Sequence, residues 1–178
     1  MSQEKARLGA LGEHMVAAQL MQQGWDAYNA NHSINNAQSI DLICRANGNQ
    51  IALIQVKTTK GNGFPTGLTI KEAKDHSFLE QFVVGPWVFV KSVGEKEQTK
   101  YIYYILSRQE VVEMIYQSNL WYISLNRGGR NLNEDSVCAI LEKWLTGANY
   151  VAPKLQGNPF INPLKGVSSK DAWSSIWK

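Results

Sequence analysis

Ile40-Asp41-Leu42-Ile43-Cys44-Arg45-Ala46 and Ile51-Ala52-Leu53-Ile54-Gln55-Val56-Lys57, joined through Asn47-Gly48-Asn49, form the stretch whose reading decides the fold. Two apolar, β-branched runs around an Asn-Gly turn spell a β-hairpin. Ile40, Leu42 and Cys44 fall on one face, and Ile43, Ile51 and Leu53 on the other. A sheet covered on both sides belongs to an α/β layer structure, a central mixed sheet flanked by helices. Loop length then sets the register. With a three-residue loop Ala46 pairs with Gln50, the paired numbers sum to 96, and Asp41 stands opposite Gln55. A two-residue loop sends Asp41 to the other face.

Working outward, Leu8, Leu11, Met15 and Ala18 recur at helical spacing and predict a helix over 3–23, with Gly24 just past its end. Glu13 shares a stripe of that helix with Gly9, Val16, Ala17 and Leu20, so its carboxylate needs a partner. An extended stretch is expected at 25–28. Beyond the hairpin, Gly61 to Gly67 reads as a glycine-rich loop, and Thr69-Ile70-Lys71-Glu72 as a capping box opening a helix to about Phe82. Strands are expected at 87–93 and 100–106, and a second capping box, Ser107 to Glu110, opens a helix to about Tyr116. A last strand over 121–125 and a helix over 134–145 complete the pattern. Residues 1–147 thus form one α/β domain, and 148–178 a Pro- and Gly-containing extension in which Trp173, Ile176 and Trp177, at i, i+3, i+4, dock on the domain or a partner.

The chain of 178 residues is 44% hydrophobic and 19% charged, a balance that excludes disordered, coiled-coil and collagen-like classes. Phe82 to Val90, the longest apolar run, is broken by Gly85 and Pro86 and falls short of a membrane span. Met1-Ser2-Gln3-Glu4-Lys5 has no apolar signal core, so a cytoplasmic setting is expected. Cys44 and Cys138 have no C-x-x-C spacing and read as buried, reduced thiols. The net charge of +3 permits a nucleic-acid partner without demanding one.

Chemistry concentrates in Glu13, Asp41, Gln55 and Lys57. Residues two apart on a strand share a face, so Gln55 and Lys57 point the same way, and in the three-residue-loop register Asp41 joins them within reach of Glu13. Hard oxygen donors beside a lysine suit Mg²⁺ or Mn²⁺ and a water to be activated. At these residues the sequence resembles the PD-(D/E)XK nuclease superfamily, including its restriction-endonuclease-like and archaeal Holliday-junction-resolvase branches. The resemblance spans about residues 7 to 107. It rests on Gly12-Glu13 with Ala17 and Leu20, on Ile40-Asp41-Leu42-Ile43, and on Gln55-Val56-Lys57-Thr58.

The resemblance implies a three-layer restriction-endonuclease-like sandwich and metal-dependent hydrolysis of DNA phosphodiesters. Asp41 takes the place of the metal-ligand aspartate, Glu13 that of the accessory helix carboxylate and Lys57 that of the catalytic lysine. The Val56 carbonyl completes the shell. Gln55 stands where the family usually has Glu or Asp, a departure that lowers the site's negative charge. A catalytically silent module binding nucleic acid or a protein, and an RNA-directed nuclease, remain open alternatives. A homodimer is expected because related enzymes pair two sites to cut both strands. Lys60, Lys71 and Lys74, and Arg127 with Arg130 around Gly128-Gly129, are candidate phosphate contacts or, equally, solvated surface. His14, His32 and His76 have no ligand spacing, and base stacking by Trp121 or Trp173 is a minority reading beside core packing.

Overall fold

The computed structural model describes residues 3–30, 40–46, 48–94, 98–125, 132–149 and 159–178. The chain runs α1 (Gln3–Gln22), β1 (Asp26–Asn29), β2 (Leu42–Arg45), β3 (Ile51–Thr59), β4 (Gly63–Thr69), α2 (His76–Phe82), β5 (Trp87–Val93), β6 (Lys100–Leu106), α3 (Arg108–Ser124) and β7 (Val137–Leu141), with short 3₁₀ turns at Glu72–Lys74, Glu142–Trp144 and Trp173–Trp177.

The hairpin takes the three-residue-loop register. Ala46 N–H donates to the Gln50 carbonyl at 3.0 Å, and the ladder from Arg45↔Ile51 to Leu42↔Ile54 keeps the sum of 96. Gly48 (φ 84°) and Asn49 (φ 64°) supply the left-handed conformations of this turn, the conformation those two residue types tolerate best. β1 pairs antiparallel with β2, β3 runs parallel to β5, and β5 pairs antiparallel with β6, giving a mixed five-stranded sheet in the order β1-β2-β3-β5-β6.

Strand parity divides the interior into two cores. Ala52, Ile54 and Val56 of β3 and Val88 and Val90 of β5 face α1, packing with Val16, Leu20, Trp173 and Ile176. Trp87 and Phe89 face the other way, into a core shared with Phe64, Leu79, Val111, Met114, Ile140 and Trp144. The fold is therefore α/β, with apolar packing on both faces of the sheet as the hairpin predicts. Phe160 and Leu164 enter the second core, so the described part of the 148–178 extension reaches both. The same segment covers the middle of β6: Ile105 N–H donates to Ser169 and Asp171 N–H to Tyr103. Among the described residues no helix is long and apolar enough to cross a membrane.

Four sequence expectations change. The glycine-rich stretch 61–67 is mostly strand β4, because it pairs antiparallel with β7 and buries Phe64 and Leu68. The Thr69–Glu72 box forms, with Glu72 accepting from Thr69 N–H at 2.7 Å, but it opens only the 3₁₀ turn; α2 starts afresh at His76, capped by Asp75. The Ser107–Glu110 capping box does open α3, which continues to Ser124 and absorbs the expected strand 121–125. Its last turns stay helical because Trp121 packs on Trp144 and Phe160, with centroids 5.8 and 5.7 Å apart. The expected helix 134–145 is strand β7 followed by a 3₁₀ turn. Pairing with β4 claims the β-branched Val137 and Ile140, and the turn still buries Trp144 and Leu145. Cys44 is buried and Cys138 half-buried, and both are free thiols.

Helix α1 seats against β3 through Gly12. A Cβ there would collide with Thr58 Oγ1 and lie 2.9 Å from Thr58 Cβ, so only glycine permits this approach, and the next residue is Glu13. Thr58 Oγ1 is itself buried without a hydrogen-bond partner. Gly12→Ala is expected to cost roughly 1–3 kcal/mol in urea denaturation, and Thr58→Ala in that background to restore part of the loss. Full stability of the single Gly12→Ala variant would refute this packing.

Candidate functional site

Strand β2 ends at the Leu42↔Ile54 pair, and the next residue back is Asp41. Its backbone still joins the sheet, with N–H donating to the Ile54 carbonyl at 2.9 Å and the carbonyl accepting from Ala30 at 2.8 Å. Its side chain takes over where β2 stops: Oδ2 accepts the Val56 N–H at 2.7 Å and the Gln55 Nε2 at 2.5 Å. A carboxylate thus closes a ladder position that β2 leaves open, and a buried N–H keeps its partner. Gln55 N–H bonds the Pro86 carbonyl next to β5, so the alternation of a strand turns both backbone groups of Val56 toward β2. The Val56 carbonyl therefore opens on the side where Asp41 stands.

Gln55 and Lys57 project from the face of β3 opposite α1, since Ile54 and Val56 pack against the helix. Gln55 is 7% exposed. The Lys57 ammonium lies over the Trp87 ring, 5.0 Å from its centroid, a cation held by a quadrupole. Glu13 arrives from the α1 layer, where its Oε2 accepts from Asn29 Nδ2 at 3.2 Å. Asp41 links the two layers electrostatically. Burial raises the Glu13 carboxyl above its ordinary pKa, and the charge of Asp41 raises it further. Burial raises Asp41 too, opposed by the Val56 hydrogen bond, the Lys57 charge and the Gln55 hydrogen bond. Burial lowers the Lys57 ammonium, and Asp41 pulls it back up.

The four residues singled out in the sequence thus converge around Asp41. Two carboxylates raised by burial, Glu13 further by the charge of Asp41, mark a place where positive charge is stabilising. The donor set is all oxygen: Glu13, Asp41, the Gln55 amide oxygen and the Val56 carbonyl, the chemistry of Mg²⁺ or Mn²⁺. Among the described residues no three His, Cys, Asp or Glu side chains gather to hold a metal ion, so such a shell depends on the neutral oxygens.

The other candidates sit apart. Lys60 is ion-paired with Glu4 at 3.3 Å and Lys74 with Glu134 at 2.5 Å, both at the surface. Lys71 is exposed at the start of the 3₁₀ turn. Arg127, Arg130 and His32 lie outside the described residues. His14 is exposed, and His76 is bonded to Glu113 at 2.9 Å. Trp173 is buried, spent on the chain's own core.

Three neighbours escaped the sequence reading. Asn29, the partner of Glu13, became relevant only through the pairing of β1 with β2. Trp87 lies beside Gln55 in the β3–β5 ladder, a relation no local pattern displays. Lys91 could have been flagged as a charge inside the apolar run of β5. It is 7% exposed and binds the Gly61 carbonyl, Asn62 Oδ1 at 3.0 Å and Glu142 at 3.0 Å.

No family model, curated protein or solved structure matches the chain.

Because folding raises the Glu13 pKa, the native protein keeps this proton to higher pH than the unfolded chain does. The stability contributed by protonated Glu13 is full below the ordinary carboxylate range and is lost as pH rises through the raised folded value. Glu13→Gln, which keeps an oxygen for Asn29, should therefore gain on the wild type in urea denaturation as pH rises above the ordinary carboxylate range. A difference that does not change with pH would show that this carboxylate is not strained.

Proposed function

We propose that the chain is a metal-dependent phosphodiester hydrolase, an endonuclease acting on DNA, built on a restriction-endonuclease-like sandwich. The observation that carries this reading is the position of Asp41. It sits beyond the end of β2, with Gln55 and the Val56 backbone at its carboxylate, the charge of Lys57 acting on it and its own charge acting on Glu13.

In this reading Asp41 and Glu13 hold a divalent cation, completed by the Gln55 amide oxygen and the Val56 carbonyl. The cation, when bound, polarises the scissile phosphate and makes a nearby water more acidic. Lys57, desolvated and poised over Trp87, orients that water and stabilises the charge that develops on the phosphoryl oxygens. The Gln55 amide holds Asp41 in place through the Nε2 hydrogen bond and brings no charge of its own. With two ligand charges, metal binds weakly to the free protein and more tightly once a DNA phosphate adds a third, and by linkage Mg²⁺ strengthens DNA binding by the same factor. The setting is the cytoplasm, with a homodimer placing two sites on a duplex.

A second reading, a catalytically silent module that binds nucleic acid or a protein, draws on the same Gln55–Asp41 bond. That bond satisfies the carboxylate with no cation present. An RNA substrate is separated from DNA by its dependence on the 2′-OH.

A cleavage panel of supercoiled, linear, branched and single-stranded DNA and of RNA, with Mg²⁺ and Mn²⁺, tests the activity directly. Asp41→Ala and Lys57→Ala should each lower cleavage by roughly 10²-fold or more while the fold persists by circular dichroism. In calorimetric titration Gln55→Glu should bind Mn²⁺ more tightly than the wild type without DNA, and keep or raise cleavage. No metal binding by any of these proteins, together with no gain from Gln55→Glu, would leave the silent module as the better account.

A further inference from the structure

On β1, β2 and β3 the side chains turned away from α1 form cross-strand rows: Asp26, Arg45 and Ile51, then Tyr28, Ile43 and Leu53, then Asp41 and Gln55 at the candidate site. Tyr28, Ile43 and Leu53 belong to neither core; Tyr28 is 52% exposed, and Ile51 in the row beyond is 65% exposed. On the other side of the site the same sheet face is closed, because Trp87 and Phe89 of β5 are buried in the second core. Among the described residues, a strand that reaches Asp41 along this face therefore continues over the open rows.

The chemistry of those rows selects the part of a nucleic acid that they can meet. Their one cation is Arg45, and its guanidinium is committed to Asp26 at 2.6 Å. Duplex binding draws its affinity from Lys and Arg on phosphates, and a phosphate laid on Ile43 and Leu53 would lose water without gaining a partner. A base has the opposite needs. Its flat π-face gains from an aromatic ring and aliphatic side chains while its edge groups stay in water. Spacing separates paired from unpaired strands as well. Rows on one face of a strand repeat at about 6.7 Å, twice the roughly 3.4 Å rise of a strand stacked in a duplex. Bases settled on successive rows are thus unstacked from one another, which an extended strand permits and a closed duplex does not.

We propose that the DNA strand engaged at Asp41 is unpaired over the adjoining nucleotides, with one base stacked on Tyr28 above Ile43 and Leu53. The ligand is single-stranded DNA or an opened stretch of duplex. The choice of DNA as occupant rests on the nuclease reading; the preference for unpaired bases rests on the open face itself.

The test measures binding by fluorescence anisotropy, in EDTA to prevent cleavage, with labelled ligands of matched length: oligothymidine, the same backbone with abasic sites, a closed hairpin duplex and a duplex with a mismatched bubble. Oligothymidine and the bubble should bind about tenfold more tightly than the abasic strand and the closed duplex. Tyr28→Ala should weaken the first two by about tenfold and leave the others unchanged, and Tyr28→Phe should bind like the wild type. Equal affinity for oligothymidine and the abasic strand, or a closed duplex bound as tightly as the bubble, would overturn the proposal on the wild type alone, whatever the stability of Tyr28→Ala. The same holds for no binding of any ligand, and for a dimer in sedimentation that Tyr28→Ala dissolves, since the face would then meet a second copy. In Mg²⁺ the two readings part. The expected binding pattern with no cleavage of any DNA sinks the nuclease and keeps the stacking face; cleavage of closed duplex as fast as single strand, untouched by Tyr28→Ala, does the reverse.

Discussion

Strand β5 has almost no solvent face, and the rest of the architecture follows from covering it. Six of its seven residues are buried, with Val88 and Val90 turned to one core and Trp87, Phe89 and Lys91 to the other. A strand of this kind stabilises only in the middle of a sheet with packing on both sides. α1 and the Trp173–Trp177 turn cover one face; α2, α3 and the β4–β7 pair cover the other. The charge on Lys91 is tolerated because Glu142, the Gly61 carbonyl and the Asn62 side-chain oxygen close over it. That ion pair also fixes the β4–β7 pair against the sheet, since Gly61 and Asn62 lead into β4 and Glu142 follows β7.

Beside this packed centre the candidate site occupies a place where pairing lapses. β3 continues past the end of β2, and the backbone group left over at Val56 is met by a side chain and not by a strand. A carboxylate held there is rigid without being deeply enclosed. Gly12, by letting α1 approach Thr58, brings Glu13 to the same neighbourhood from the other layer. Placement thus comes from backbone constraints, a strand end and a close helix contact, which is how a site acquires geometry sharper than a loop provides.

The parts legible in the sequence were those encoded by neighbours in the chain. The Asn47-Gly48-Asn49 loop set the hairpin register, and with it the meeting of Asp41 and Gln55, because parity leaves a single choice once loop length is fixed. The capping box at Ser107 marked the start of α3 for the same local reason. β4 and β7 were illegible: each pairs with a segment some seventy residues distant, and their glycine content and i, i+3, i+4 apolar spacing point locally to loop and helix. The length of α3 was hidden likewise, since what keeps Trp121 helical is Trp144 and Phe160. The cation–π contact of Lys57 with Trp87 depends on a parallel neighbour that no local pattern reveals.

The segment that crosses β6 has a consequence for assembly. By donating from Asp171 and accepting at Ser169, it occupies the hydrogen-bonding groups in the middle of the outer strand. A sheet plugged at one border has no second border from which to propagate. Addition of a strand to this five-stranded sheet then falls to the β1 border. At the β6 border residues 169–171 act as a stopper, filling the positions on which a foreign strand would otherwise template.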